Sequence, residues 1–414
     1  MPKLKKGIFY GWVIVGVGFI ILLVGSGCLY SYGVFLTELC ADLGWSRAVV
    51  SGAYSLVMIC NGVFSFVAGN LNDRYGPRLT LMVSIIAMSA GYALMATVAA
   101  PWQLYVFCGL MAGGGYGFCY LPIASVASRW FVAKRGVVLG VTTAGVGVGA
   151  LLMAPFAQVL ISAFGWRISY QILAGLLVII ALPLSRLMRL EPCEKGLQPY
   201  GLEKIPAGQP NNAPSSNNMD FTFEQALRTK AFWLLFTMFM FFILPLQMVM
   251  VHLKAYVADV GLAPMVGATL TGLVGGGSVL GRVTMGRLSD KIGRKASFFI
   301  AYLLLAIMML WLVGARQPWQ FYLFSVVFGF GYGSCDVLFP AITGDYFGTK
   351  SHGSILGMVS SAIAPGGAIG PLLAGYIFDT TGSYYIAIII GIVVLFIAAG
   401  CSLIIKAPGT PRPI

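Results

Sequence analysis

PMVGATLTGLVGGGSVLGRVTMGRLSDKIGRK, Pro264 to Lys295, is the stretch whose reading decides the fold. Its first part is apolar and glycine-rich in the manner of a membrane helix, and its last part is a compact charged turn. Arg282 lies inside the apolar part, about one turn before the charges begin. A guanidinium at membrane depth costs roughly 2.5–3.5 kcal/mol on insertion scales. An arginine kept there faces a cavity and holds an anion, or else its long stem snorkels to the basic face beside Arg287. The anion reading gains from Thr271, Gly275, Ser278 and Arg282, which share one helical stripe, small and polar apart from the arginine.

Composition places the rest of the chain in the same setting. The 414 residues are 58% hydrophobic and 9% charged, with mean hydropathy +0.88. Soluble domains carry about 25% charged residues, so this composition builds a surface that faces lipid. The net charge of +13 suggests nucleic acid, but its distribution excludes that partner. Basic residues gather in alternate connections: Lys3, Lys5 and Lys6; Arg74 and Arg78; Arg129, Lys134 and Arg135; Arg186 to Lys230; Arg287 to Lys295; Lys350; Lys406 and Arg412. The intervening connections hold little beyond Arg47, Arg167, Lys254 and Arg316. The positive-inside rule then puts both termini and the central loop in the cytoplasm. MPKLKKGIFYGW runs into an apolar segment too long for a signal peptide and without a small-residue cleavage site, so it reads as a retained first span.

Twelve spans follow, at 10–36, 46–69, 79–99, 102–127, 137–161 and 167–188, then 231–257, 264–286, 296–314, 319–343, 354–377 and 383–405. The expected fold is an all-α membrane protein of two six-helix bundles, residues 1–188 and 231–414. A mobile cytoplasmic linker at 189–230 joins them, rich in Pro, Asn and Ser (PAGQPNNAPSSNNMD), with a short amphipathic helix near Phe221–Leu227. The halves repeat in parallel. GNLNDRYGPR from Gly69 matches GRLSDKIGRK from Gly286, pairing Gly76 with Gly293 and Asp73 with Asp290. GGYGFCY from Gly114 matches FGYGSCD from Phe330, pairing Tyr116 with Tyr332 and Tyr120 with Asp336; Phe131 and Lys134 fall onto Phe347 and Lys350 at the same offset. Such symmetry surrounds a central cavity near the bilayer midplane.

These repeats resemble the major facilitator superfamily, whose signature turn is G-x-x-x-D-[RK]-x-G-[RK]-[RK]; the first copy departs from it at Pro77. Tyr10-Gly11-Trp12, the run Gly281 to Gly286 around Arg282, and HLxxYxxDxG from His252 to Gly261 are similar to the monocarboxylate transporters and the related oxalate/formate antiporters. The resemblance implies that Arg282 is the carboxylate-binding group. Animal monocarboxylate transporters also carry a lysine in span one and an aspartate one turn before the arginine. Here span one has no lysine and Ser278 stands at the aspartate position, so their proton-coupling scheme does not carry over intact.

Few ionisable groups lie at membrane depth. Arg282 and Asp336 are the clear arginine and aspartate there, and each offsets the cost of the other if they pair. Asp336 is either a structural partner of Arg282 or a proton carrier that takes up a proton when substrate diverts the arginine. Tyr332, one turn from Asp336, and Tyr120 put hydroxyls on substrate from opposite walls, or are packing aromatics. Asn61 lines the N-terminal wall or makes an interhelical hydrogen bond. Cys28, Leu29 and Tyr32 offer an apolar wall from span one. His252 and Lys254 are expected at the outer mouth, the histidine as a solvated end group rather than a proton relay, and Glu38 and Asp42 as outer-loop charges. With no second buried cation expected, the sequence favours a small monoanion over a dicarboxylate. No cofactor, metal site or enzyme constellation is indicated: the eight cysteines are scattered and unpaired, and Gly275–Gly277 lacks the Lys-Ser/Thr of a phosphate loop. The expected function is proton-coupled symport of lactate- or pyruvate-class monocarboxylates across a bacterial inner membrane. An oxalate/formate-type anion exchanger and a non-transporting anion sensor are the alternatives.

Overall fold

The structure, a computed structural model, describes residues 9–131, 135–201, 221–348 and 351–408. Lys3, Lys5, Lys6, Lys134, Lys350, Arg412, the side chains of Asp73 and Arg135, and linker residues 202–220 lie outside the described residues. In chain order the helices are α1 (Tyr10–Tyr30), α2 (Tyr32–Leu43), α3 (Arg47–Met95), α4 (Pro101–Leu104), α5 (Gly113–Gly117), α6 (Tyr120–Trp130), α7 (Arg135–Leu176) and α8 (Leu182–Ser185). They continue with α9 (Phe223–Leu227), α10 (Lys230–Asp259), α11 (Pro264–Ile292), α12 (Arg294–Gly314), α13 (Pro318–Phe347), α14 (His352–Ser360), α15 (Ile363–Thr381) and α16 (Tyr385–Ile404). Wider π-helical turns at Tyr105–Ala112 and Leu177–Ala181 lead into α5 and α8.

Local chemistry sets the ends. Pro101, Pro264 and Pro318 open their helices, where the missing N–H costs nothing. The Ser46 hydroxyl caps α3 by accepting from Val49 N–H. Glycines with positive φ break the rods, at Gly76 (80°) inside α3 and Gly165 (75°) inside α7. A side chain at such a φ is strained, so only glycine turns the chain cleanly there. Three pairs of left-handed glycines, Gly44 with Gly261, Gly76 with Gly293 and Gly165 with Gly382, are each separated by 217 residues.

Among the described residues, ten segments are long and apolar enough to cross a membrane. Among them Val137–Ser185 is a single 49-residue stretch containing the Gly165 break, while α11, diluted by its glycines, is not one of the ten. The first span exceeds its expected limit: after a turn at Ser31 the chain continues helically to Leu43, so Glu38 and Asp42 stand on α2 rather than in a loop. Part of the expected linker is ordered. Tyr200 N–H donates to the Trp130 carbonyl, its ring packs on Phe9 and Phe131, and α9 forms behind a Thr222–Gln225 capping box.

The helices pack through glycine. A Cβ on Gly333 would strike the Ser278 carbonyl, and one on Gly281 the Phe330 carbonyl, so α11 and α13 cross backbone against backbone. Gly147 and Gly275 meet likewise between α7 and α11. Gly333→Leu should therefore force α11 from α13, at roughly 1–3 kcal/mol or more for overpacking. A thermal melt several degrees lower is expected; an unchanged melt would contradict the crossing.

The N- and C-terminal halves are tied at one end of the helices. The Arg47 guanidinium grips Asp259 with two 2.7 Å hydrogen bonds, and the N–H groups of Arg47 and Ala48 donate to Asp379 at 3.0 and 2.7 Å. Tyr54 donates to Gln247, and Lys254 to Val34 carbonyl and Glu38. At the opposite, basic end, ion pairs among the described residues join groups of one half: Arg129 with Glu191, and Arg294 with Asp290 and Asp345.

Candidate functional site

Arg282 lies eighteen residues into α11, roughly 27 Å along its axis at about 1.5 Å per residue. Its guanidinium is held by three oxygens. Nε–H donates to Asp336 Oδ2 at 3.0 Å, Nη1–H to Ser278 Oγ at 3.2 Å, and Nη2–H to Tyr332 Oη at 3.3 Å. Ser278 spends its own hydrogen on the Gly275 carbonyl at 2.7 Å, so its oxygen faces the arginine as an acceptor. The Tyr332 ring sits beside the cation, 5.2 Å from Cζ to centroid. Spacing explains the arrangement: Ser278 and Arg282 are four apart on α11, Tyr332 and Asp336 four apart on α13, and the glycine crossing lays the two pairs together.

Three of the five guanidinium hydrogens are engaged, which leaves each terminal nitrogen one N–H without a partner among the described residues. A guanidinium with a donor left on each terminal nitrogen can take a carboxylate as a fork. The side chain of Arg282 is only 14% exposed while that of Asp336 is 38% exposed, so the arginine is enclosed and does not snorkel. From the other half, Tyr120 opens α6 just after the helix break at Phe118–Cys119, 37% exposed and within electrostatic reach of Asp336, Arg282 and Tyr332.

The structure thus brings together Arg282, Asp336, Ser278 and Tyr332, with Tyr120 facing them without a direct contact. Asn61 is placed apart: its Oδ1 accepts from Ser65, whose hydroxyl also reaches the Gly117 carbonyl, so it braces α3 against α5. Cys28 and Leu29 are buried in α1. From α1 it is Tyr30, at the end of the helix, that comes near Tyr332. Tyr30 escaped the sequence reading because it lies about 100° around the helix from Leu29. Within the polar stripe, Thr271 bonds the Gly267 carbonyl and Gly275 packs on α7, so only Ser278 and Arg282 reach the cluster.

Two expectations are corrected at the tied end. His252 is not a solvated end group: it is 3% exposed and bonded to Tyr384 and the Pro371 carbonyl. Nor is Arg282 the sole buried cation, since Lys254 is 1% exposed and bound by Val34 and Glu38. Both lie at the tied end of α10 and are buried because the halves close over them. Among the described residues, no group of three or more His, Cys, Asp or Glu could hold a metal ion.

The chain is similar to transporters along nearly its whole length. It is 28% identical over 402 residues to monocarboxylate transporter 13 of Bos taurus, covering 96% of this chain and 89% of that protein. Monocarboxylate transporter 12 of Xenopus laevis is 25% identical over 400 residues, with 92% and 85% covered. Monocarboxylate transporter 11 of Mus musculus is 26% identical over 385 residues, with 91% and 83% covered. Among solved structures, a bacterial homologue of the human lysosomal transporter Spinster, described as inward-facing and unoccupied, superposes with a TM-score of 0.74. At 14% identity over 96% of this chain and 97% of that one, it shows a shared fold. The Major Facilitator Superfamily model matches residues 16–283 and 244–414, and the chain belongs to that family.

Proposed function

We propose that this protein is a secondary active transporter carrying a small monocarboxylate of the lactate or pyruvate class together with a proton. One observation carries the reading: a guanidinium enclosed between α11 and α13, paired with one carboxylate and keeping, among the described residues, an unpartnered N–H on each terminal nitrogen. The substrate carboxylate occupies that fork, with the Tyr332 and Tyr120 hydroxyls on either side of it. Its negative charge competes with that of Asp336 for the one Arg282 cation, and the aspartate on Nε–H takes up the proton, so anion and proton travel together. Lys254 is engaged at the tied end, away from the fork, which suits a monoanion. The monocarboxylate names of the relatives support the substrate class.

The helices cross the membrane twelve times. Val137–Ser185 crosses twice, on either side of Gly165, and α11 crosses although its hydropathy is low. Residues 1–188 and 231–414 form two six-helix bundles joined by 189–230, a parallel repeat supported by the glycine pairs at 217-residue separation. The basic end and both termini face the cytoplasm of a bacterial inner membrane. The tied end then faces outward, and the cavity opens inward. Rocking of the bundles alternates the two openings.

The test is uptake of labelled lactate into proteoliposomes, with and without an inward proton gradient. Accumulation driven by the gradient, with acidification of the lumen, is expected. Uptake indifferent to the gradient but dependent on a luminal counter-anion would replace symport by exchange, and binding without uptake would leave a sensor.

A further inference from the structure

We infer that His252 is a second proton site, and that a proton bound there releases the tied end of the two halves. This rests on the reading that the chain opens alternately at its two ends. The hydrogen bonds around the imidazole determine its protonation. The Pro371 carbonyl can only accept, so Nε2, 2.9 Å away, carries a hydrogen and donates it. Tyr384 Oη already accepts from Arg47 Nη1 at 2.7 Å. Its own hydrogen is therefore free for His252 Nδ1 at 2.9 Å, and Nδ1 acts as an acceptor. The tied end is a chain of donors, Arg47 to Tyr384 to His252 to Pro371, that crosses from the N-terminal half to the C-terminal half and fits a neutral imidazole.

A proton on Nδ1 conflicts with that chain. The imidazolium and Arg47 would both donate to one phenol oxygen, and the phenol hydrogen would need a new acceptor. Nor is a carboxylate spare to take the added charge. Both oxygens of Asp259 bind the Arg47 guanidinium, and both oxygens of Asp379 take backbone N–H groups at the start of α3. Tyr256 on α10 donates to the Leu312 carbonyl, Glu38 on α2 is held by Lys254, and Cys40 is the remaining titratable neighbour on α2. The rest of the surroundings are apolar, among them Met248, Met309 and Ile388. An imidazolium is accommodated once the halves part and water reaches it. The proton thus binds the separated state more tightly, and acid shifts the population toward it. With the tied end outward, external acid would favour the opening that receives substrate.

The test is a distance. Spin labels at Ala41 on α2 and Ala263 before α11, in a chain with its eight native cysteines replaced, report the separation of the halves in lipid nanodiscs. Wild type should give one short distance at about pH 8 and a longer population, at least about threefold enriched, at about pH 5.5, the range in which an imidazole titrates. His252→Gln keeps a donor and an acceptor in place but cannot bind the proton, and should stay short throughout. Tyr384→Phe removes the middle of the chain and should show the longer population already at about pH 8. His352→Gln, which removes the chain's other histidine away from the tied end, should keep the wild-type response. A wild-type distance that ignores pH, an acid response surviving in His252→Gln, or one lost in His352→Gln would each overturn the inference. None of these readouts depends on which acid is carried, so failed lactate uptake would leave the distance test standing.

Discussion

Arg282→Lys should reduce lactate uptake by about 30-fold or more while leaving the protein folded. The substitution keeps a positive charge but replaces a planar fork with a single ammonium. Lysine cannot hold Asp336, Ser278 and Tyr332 at once and still offer two parallel N–H groups to a carboxylate. Losing one charge-assisted hydrogen bond costs about 1.5–3 kcal/mol, and every 1.4 kcal/mol is about tenfold in binding. The loss should fall on lactate affinity, measured by calorimetry on purified protein, with the thermal melt little changed. Near-normal affinity would mean that the carboxylate binds elsewhere.

Asp336→Asn should separate transport from the proton gradient. Asparagine can still accept from Arg282 Nε–H, so the cluster keeps its geometry, but it cannot take up the proton that accompanies the anion. Lactate should then equilibrate down its own gradient, at a rate nearly independent of external pH between about 5.5 and 8, whereas wild type should concentrate it about tenfold for each unit of pH difference at one proton per anion. Gradient-driven accumulation surviving in this variant would assign coupling to another group.

Much of this organisation is legible in the sequence, because the membrane limits what composition can mean. A chain with so few charges builds a lipid-facing surface, and repeated motifs at one offset make two similar halves the expectation. The pairing of Arg282 with Asp336 was within reach for the same reason: two opposite charges at membrane depth each lower the cost of the other. What stayed hidden depends on how helices meet. His252 and Lys254 stand near the end of an apolar helix, where sequence suggests contact with water. They are buried because Arg47, Glu38, Tyr384 and Pro371, remote in sequence, close over them. Tyr30 was missed because it stands one residue, about 100° of helix rotation, from the Leu29 that the sequence singles out. The glycine signal carried more than expected: Gly281 and Gly333, unremarkable in a glycine-rich chain, set the crossing that brings Arg282 to Tyr332 and Asp336.

Proton uptake on binding is the most direct measurement of the central claim, that an anion at Arg282 is exchanged for a proton at Asp336. Lactate is added to purified protein in weakly buffered solution near neutral pH, and the proton balance is read beside the binding isotherm. About one proton taken up per lactate bound, and none in Asp336→Asn, is the expected result. Saturable lactate binding by the wild type with no proton uptake would contradict it.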